Sequence, residues 1–164
     1  MQPTALKFLR MVQHPLKFRM FLLYKLPAAF FSGVRVKEVD ENKCTVSIPY
    51  KWLTQNPFHS TYFASLSMAA EMSTGVLAMM YLYKRKPAVS MLVTKMEAQY
   101  FKKATGKTYF ICEQGKELNM AIKEAIQTGM PKEIVVRSAG TNIKGEKTAD
   151  FDFTWSFKAK TASV

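Results

Sequence analysis

Between Thr61 and Tyr83 the only charged side chain is Glu71, in a run otherwise composed of apolar, aromatic and small polar residues. A carboxylate in such surroundings has to be paired, hydrogen-bonded or protonated, because water no longer stabilises its charge. Two readings stand. As a reactive group it would serve as general base on water or as a nucleophile toward a carbonyl carbon. As a structural group it would be held by Ser67 and Thr74, which share its helix face by spacing, or by a partner subunit. Asn56, which precedes Pro57, has the same double character: its amide can orient a carbonyl or a water, or it can close an Asx turn. Ser60, Tyr62, Ser67 and Thr74 are secondary candidates, with Tyr62 equally suited to an aromatic core. His59 lies close in sequence, and His14 has no chemistry assigned to it.

Other catalytic sets are missing from the sequence. There is no GxSxG elbow for a serine hydrolase. Two histidines and two separated cysteines make no metal cluster, so no metal ion is expected. A glycine-rich nucleotide loop is also missing.

The elements that position Glu71 follow from composition and periodicity. A chain of 164 residues that is 48% apolar has the size and content for one globular domain. Cys44 and Cys112 each sit in an alternating, strand-like run without CxxC spacing. They read as buried thiols of a reducing compartment, and with no secretory signal pattern a cytoplasmic location is expected.

The net charge of +12 calls for an anionic partner. Lysines outnumber arginines and no nucleic-acid-binding motif is present, so nucleic acid is not the expected partner. Residues 1–37 hold seven basic and no acidic residues among apolar ones. This amphipathic helical arm, taken as residues 1–32, can cap the fold with its apolar side or lie on a membrane surface.

Periodicity predicts helices over about 4–13 and 15–26, ending near Pro27, then strands over about 33–39 and 43–49. A long helix follows over about 61–83, with Ser60 or Thr61 as N-cap. Strands are expected at about 91–103, 107–114, 132–142 and 147–159, with a helix at about 117–127. A helix that is apolar nearly all round must be wrapped. The strands therefore have to curl around it in an α+β hotdog arrangement over residues 33–160.

The segment Asn56 to Glu71 resembles the hallmark of hotdog acyl-CoA thioesterases of the phenylacetyl-CoA and 4-hydroxybenzoyl-CoA type. Their pattern is an Asn, six residues later a His-Gly-Gly, and nine residues after that His an Asp or Glu. Here Asn56 and Glu71 match at both ends, and Tyr62-Phe63-Ala64 stands in place of His-Gly-Gly. Val93 to Ala104 resembles the family's strand leading into a basic-Pro-Ala turn, with Lys103 in place of the proline. Asn142 to Gly145 with Phe153 to Phe157 is similar to the closing hairpin. The helix at 117–127 and the Phe-Thr-Trp ending are most similar to a branch of the superfamily often described only as a domain of unknown function.

The resemblance implies a thioester hydrolase acting on acyl-CoA, with coenzyme A as part of the substrate and no separate cofactor. It also implies a homodimer or tetramer with sites at subunit interfaces. Unsatisfied N–H groups of Phe63 and Ala64, at the positive end of the helix dipole, would hold the oxyanion. Lys102 and Lys103 are the expected phosphate-binding residues, within a wider set of Lys84, Arg85, Lys86 and Lys107. Met68, Met72, Met79, Met80, Met91 and Met96 are available to line an acyl channel or to fill ordinary core. The competing class is a non-catalytic hotdog protein that binds acyl-CoA or lipid.

Overall fold

The computed structural model describes residues 3–160. Three short helices come first: α1 (Pro3–Gln13), α2 (Pro15–Lys25) and α3 (Pro27–Ser32). Each opens on a proline, whose fixed φ and missing N–H suit the first helical position. His14 is the N-cap of α2, its Nδ1 accepting from the Lys17 N–H at 3.4 Å. Pro27 does more than the expected termination. It ends α2 and starts α3, which then stops at Gly33 in the left-handed region at φ 79°.

The remaining elements are β1 (Arg35–Val39), β2 (Cys44–Ile48), α4 (Phe63–Leu82), β3 (Val89–Tyr100), β4 (Thr108–Cys112), α5 (Gly115–Thr128), β5 (Lys132–Asn142) and β6 (Lys147–Ala159). A single 3-10 turn, Trp52–Thr54, lies between β2 and α4. The strands form one antiparallel sheet in the order β1-β2-β4-β5-β6-β3. It curls around α4, giving the expected hotdog arrangement. Strand β3 begins two residues earlier than the sequence pattern suggests and stops at Tyr100, so Lys102 and Lys103 lie in the following loop.

Alternation explains the sheet's inner face. Along β6, Phe151, Phe153, Trp155 and Phe157 are buried, with less buried residues between them. They meet a helix with buried residues on nearly every side, including Leu66, Met72, Leu77 and Met80. Each such side chain contributes roughly 1.5–3 kcal/mol. Buried polar bonds also tie α4 to the sheet. Ser73 and Ser138 share a hydrogen bond of 2.7 Å, and the Trp155 indole N–H donates to Thr74 Oγ1 at 3.0 Å.

The N-terminal arm belongs to the same core. Phe8 and Leu22 are fully buried, and the Phe8 ring lies 5.4 Å from that of Tyr83 at the end of α4. Arg19 reaches from α2 to α3, stacking 3.9 Å from the Phe30 ring centroid. The two cysteines face each other in register on β2 and β4, free and buried. Burial pushes both thiols above their ordinary value, Cys112 to about 11.

One close approach in the sheet depends on glycine. A Cβ at Gly140 would meet Phe110 Cε1 at 2.5 Å and the Ala149 carbonyl oxygen at 2.8 Å. Gly140→Ala is therefore expected to destabilise the fold by about 1–3 kcal/mol through overpacking, read as a lower urea midpoint. An unchanged midpoint would mean that β5 shifts freely against its neighbours.

Candidate functional site

Residues 56–60 make a closed loop at the approach to α4. Asn56 Oδ1 accepts from the backbone N–H groups of Phe58 (3.0 Å) and Ser60 (3.2 Å) and from the Ser60 hydroxyl (3.2 Å). The Asn56 N–H also donates to the Ser60 carbonyl at 2.9 Å. This is the Asx turn. It consumes the amide oxygen and leaves the Nδ2 donors without an acceptor among the described residues. The structure thus shows the Asx-turn reading of Asn56: the oxygen builds the loop, and among the described residues the nitrogen remains free.

The helix N-cap falls on Tyr62, rather than on Ser60 or Thr61 as expected, and no side chain caps it. Ser60 is committed to Asn56. Thr61 is held by Ala104, whose carbonyl accepts both the Thr61 N–H (2.8 Å) and its hydroxyl (2.9 Å). The Tyr62 carbonyl accepts from Ser65 and Leu66, so the N–H groups of Phe63 and Ala64 have no acceptor among the described residues. They are free donors at the positive end of a 20-residue helix. The Tyr62 ring stands half-exposed, packed edge-on against Phe63 at 4.8 Å.

Beside this helix end lies a cleft of about 320 Å³. Asn56, Ser60, Phe63, Tyr100, Lys102 and Lys103 are among its lining residues. The two lysines differ. Lys102 is ion-paired to Glu146 at 2.8 Å, whereas Lys103 makes only a long, 3.5 Å bond to the Phe58 carbonyl. Tyr100 was not legible as a site residue, because a tyrosine in a strand reads simply as a β-former. Burial raises its phenol above the ordinary value, an effect partly offset by the Ser67 hydroxyl. Ser67 itself donates to the Phe63 carbonyl at 3.0 Å.

Glu71 stands elsewhere on α4, eight residues beyond Phe63, about 12 Å along the axis. Its carboxyl group borders two apolar cavities of about 60 and 210 Å³. Four of the methionines expected to form a channel are here: Met68, Met72, Met79 and Met91. Of the other two, Met80 is core and Met96 is exposed. The arm supplies the opposite wall through Phe18, Phe21 and Leu26.

Among the described residues no side chain pairs with the Glu71 carboxylate, and burial raises its pKa. The hydrogen bonds expected from Ser67 and Thr74 go elsewhere. Thr74 is fully buried, donating to the Glu71 backbone carbonyl at 2.9 Å and accepting from Trp155, so its hydroxyl is unavailable to a ligand. Glu71 Oε1 lies over Gly75, 3.0 Å from where a Cβ would stand. Gly75 thus makes the niche in which the carboxylate rests.

Comparison with known proteins agrees with this architecture. The chain belongs to the family described as a domain of unknown function, DUF4442, which it matches over residues 17–157. No curated protein matches it in sequence. A Pseudomonas aeruginosa protein of unknown function, described as a "Probable Thioesterase", superimposes with a TM-score of 0.74 at 18% identity, covering 89% of this chain and 97% of that one. The PaaI protein of the E. coli phenylacetic acid degradation operon superimposes with a TM-score of 0.64 at 10% identity, covering 96% of each. A thioesterase family protein from Silicibacter pomeroyi gives 0.64 at 12% identity, covering 93% of this chain and 99% of that one. These likenesses establish the hotdog fold.

The loop-building role of the Asn56 oxygen can be tested by substitution. Asn56→Ala removes the acceptor of three hydrogen bonds and is expected to cost about 1–3 kcal/mol, whereas Asn56→Asp keeps the acceptor and should melt close to wild type. Equal destabilisation by both would show that the nitrogen, and not the oxygen, holds the loop.

Proposed function

We propose that the protein is a thioester hydrolase acting on acyl-CoA, with Glu71 as general base or nucleophile. The observation that carries this reading is an unpaired carboxylate in a methionine-lined apolar cavity, on the same helix whose first N–H groups are free. The chemistry needs both at one carbonyl; because they stand about 12 Å apart along the helix of a single chain, the Glu71 of one copy and the free N–H groups of a second copy form the acting pair. Attack on the thioester carbonyl turns its oxygen into an oxyanion, which Phe63 N–H and Ala64 N–H stabilise at the helix N-terminus. Glu71 takes a proton from the attacking water and returns it to the departing thiolate. By the nucleophilic route its carboxylate instead attacks the carbonyl carbon and expels the coenzyme A thiolate, which leaves as the thiol, and water then cleaves the resulting acyl anhydride to the free acid and the Glu71 carboxylate. The Asn56 Nδ2 group donates to the carbonyl or the water. The acyl chain lies among the methionines, and Lys103 at the cleft rim carries phosphate more readily than the paired Lys102.

A second copy of the chain completes this reading. Strand β3 is a 12-residue edge with an unpaired side, carrying exposed Leu92, Met96 and Tyr100. Such an edge invites pairing. A homodimer through β3 would bring a partner's residues beside the Tyr100 cleft.

The alternative, a hotdog protein that binds acyl-CoA or lipid without turnover, is favoured by one observation. The Glu71 carboxylate leans toward Gly75, away from the free N–H groups. Thiol release from short, long and aromatic acyl-CoAs by wild type and Glu71→Gln decides between them. Hydrolysis by wild type and a loss of roughly 10²- to 10⁴-fold in the variant are expected; binding without turnover in both would establish the alternative.

The pH profile carries a second test. Only ionised Glu71 acts, so hydrolysis should rise with pH through an apparent pKa above the ordinary carboxylate value of 4.5. The same shift has a stability consequence of opposite sense. Because the folded pKa lies above the unfolded one, the protonated group favours the fold at acid pH, and this contribution is lost as pH rises through the folded pKa. Urea titrations should therefore show a decline in wild type across that window that Glu71→Gln lacks. A decline of the same size in the variant would assign it to other groups.

A further inference from the structure

Helix α2 is apolar on two sides, and the fold uses one of them. Phe18 and Leu22 point into the core, whereas Leu16, Met20, Leu23 and Tyr24 are exposed. The exposed set falls at i, i+4, i+7 and i+8, one continuous stripe along the helix. Leu16 is 68% and Tyr24 82% exposed. Lys17 borders the stripe and Lys25 follows it at the end of the helix, its ammonium 5.0 Å from the Tyr24 ring centroid.

The geometry points to an anionic lipid bilayer as the surface on which this stripe docks. Charge selects the occupant. Residues 1–37 contain seven basic and no acidic residues, so joining two copies through α2 would bring like charges together at the interface. An anionic bilayer accepts apolar side chains below its headgroups and basic ones among them. A tyrosine next to a lysine suits that boundary, the ring at headgroup depth and the ammonium reaching outward. The cavity beside Glu71 supplies continuity. Lys25, Leu26, Pro27 and Ala28 line it, and they directly follow the stripe in the chain. Docking through α2 therefore brings this rim close to the lipid.

The test is co-sedimentation of the full chain with phosphatidylcholine vesicles, with and without phosphatidylserine. It needs no turnover, so it stands or falls apart from the hydrolase reading. Wild type is expected to bind only the anionic vesicles, less tightly as salt rises. The variant Leu16→Ser/Met20→Ser/Tyr24→Ser alters exposed positions only, and should lose at least tenfold in partitioning with an unchanged melting temperature. Lys17→Ser and Lys25→Ser should each lose roughly fivefold. Wild type that ignores anionic vesicles, or a triple variant that binds them like wild type, overturns the proposal. So does a wild-type oligomer that the triple variant dissociates without any binding to vesicles, since a second copy would then cover the stripe.

Discussion

A helix without a polar face has to be enclosed, and everything else in this protein follows from enclosing α4. The helix is long and apolar enough to cross a bilayer, yet most of it is buried within the fold. The curl of six strands covers one side and α1 to α3 close over another. The few polar groups on α4 survive by finding partners inside, as Ser73 does with Ser138 and Thr74 with Trp155. Glu71 differs: among the described residues its carboxylate has no such partner, and the enclosure that stabilises its neighbours raises its pKa.

The fold was largely legible because its signals are local and periodic. Strand β6 alternates cleanly, α5 is amphipathic, and the apolar monotony of α4 dictates a wrapped arrangement. The misreadings came where one residue type serves two purposes. Pro27 both stops and starts a helix, so α3 was hidden behind a termination signal. Residue type places the start of α4 at Ser60 or Thr61, but hydrogen bonds to Asn56 and Ala104 take both side chains.

The site was legible in its members more than in its geometry. Glu71 stands out as a lone charge in an apolar run, the resemblance to the thioesterase hallmark adds Asn56 and Phe63, and composition adds the methionines. None of these could show that Asn56, Phe63, Lys102 and Lys103 share one cleft while Glu71 borders separate cavities walled by the arm. That division arises from helix length: a helix of 20 residues presents different neighbours at its start and its middle. Thr74 illustrates the same limit. Its spacing places it near the face of Glu71, but its hydroxyl is held by an indole that only the assembled sheet delivers.

The strand order also bears on how the protein emerges during synthesis. Strand β3 pairs with β6, from Val89 opposite Ala159 to Tyr100 opposite Ala149, and β6 also pairs with β5. The last strand of the sheet is thus the one that joins β3 to the other four. Until it leaves the ribosome, β3 has no partner and α4 lacks the aromatic row of Phe151 to Phe157. For that interval the nascent chain carries an apolar helix with an incomplete wrapper, a state in which a chaperone has most to hold.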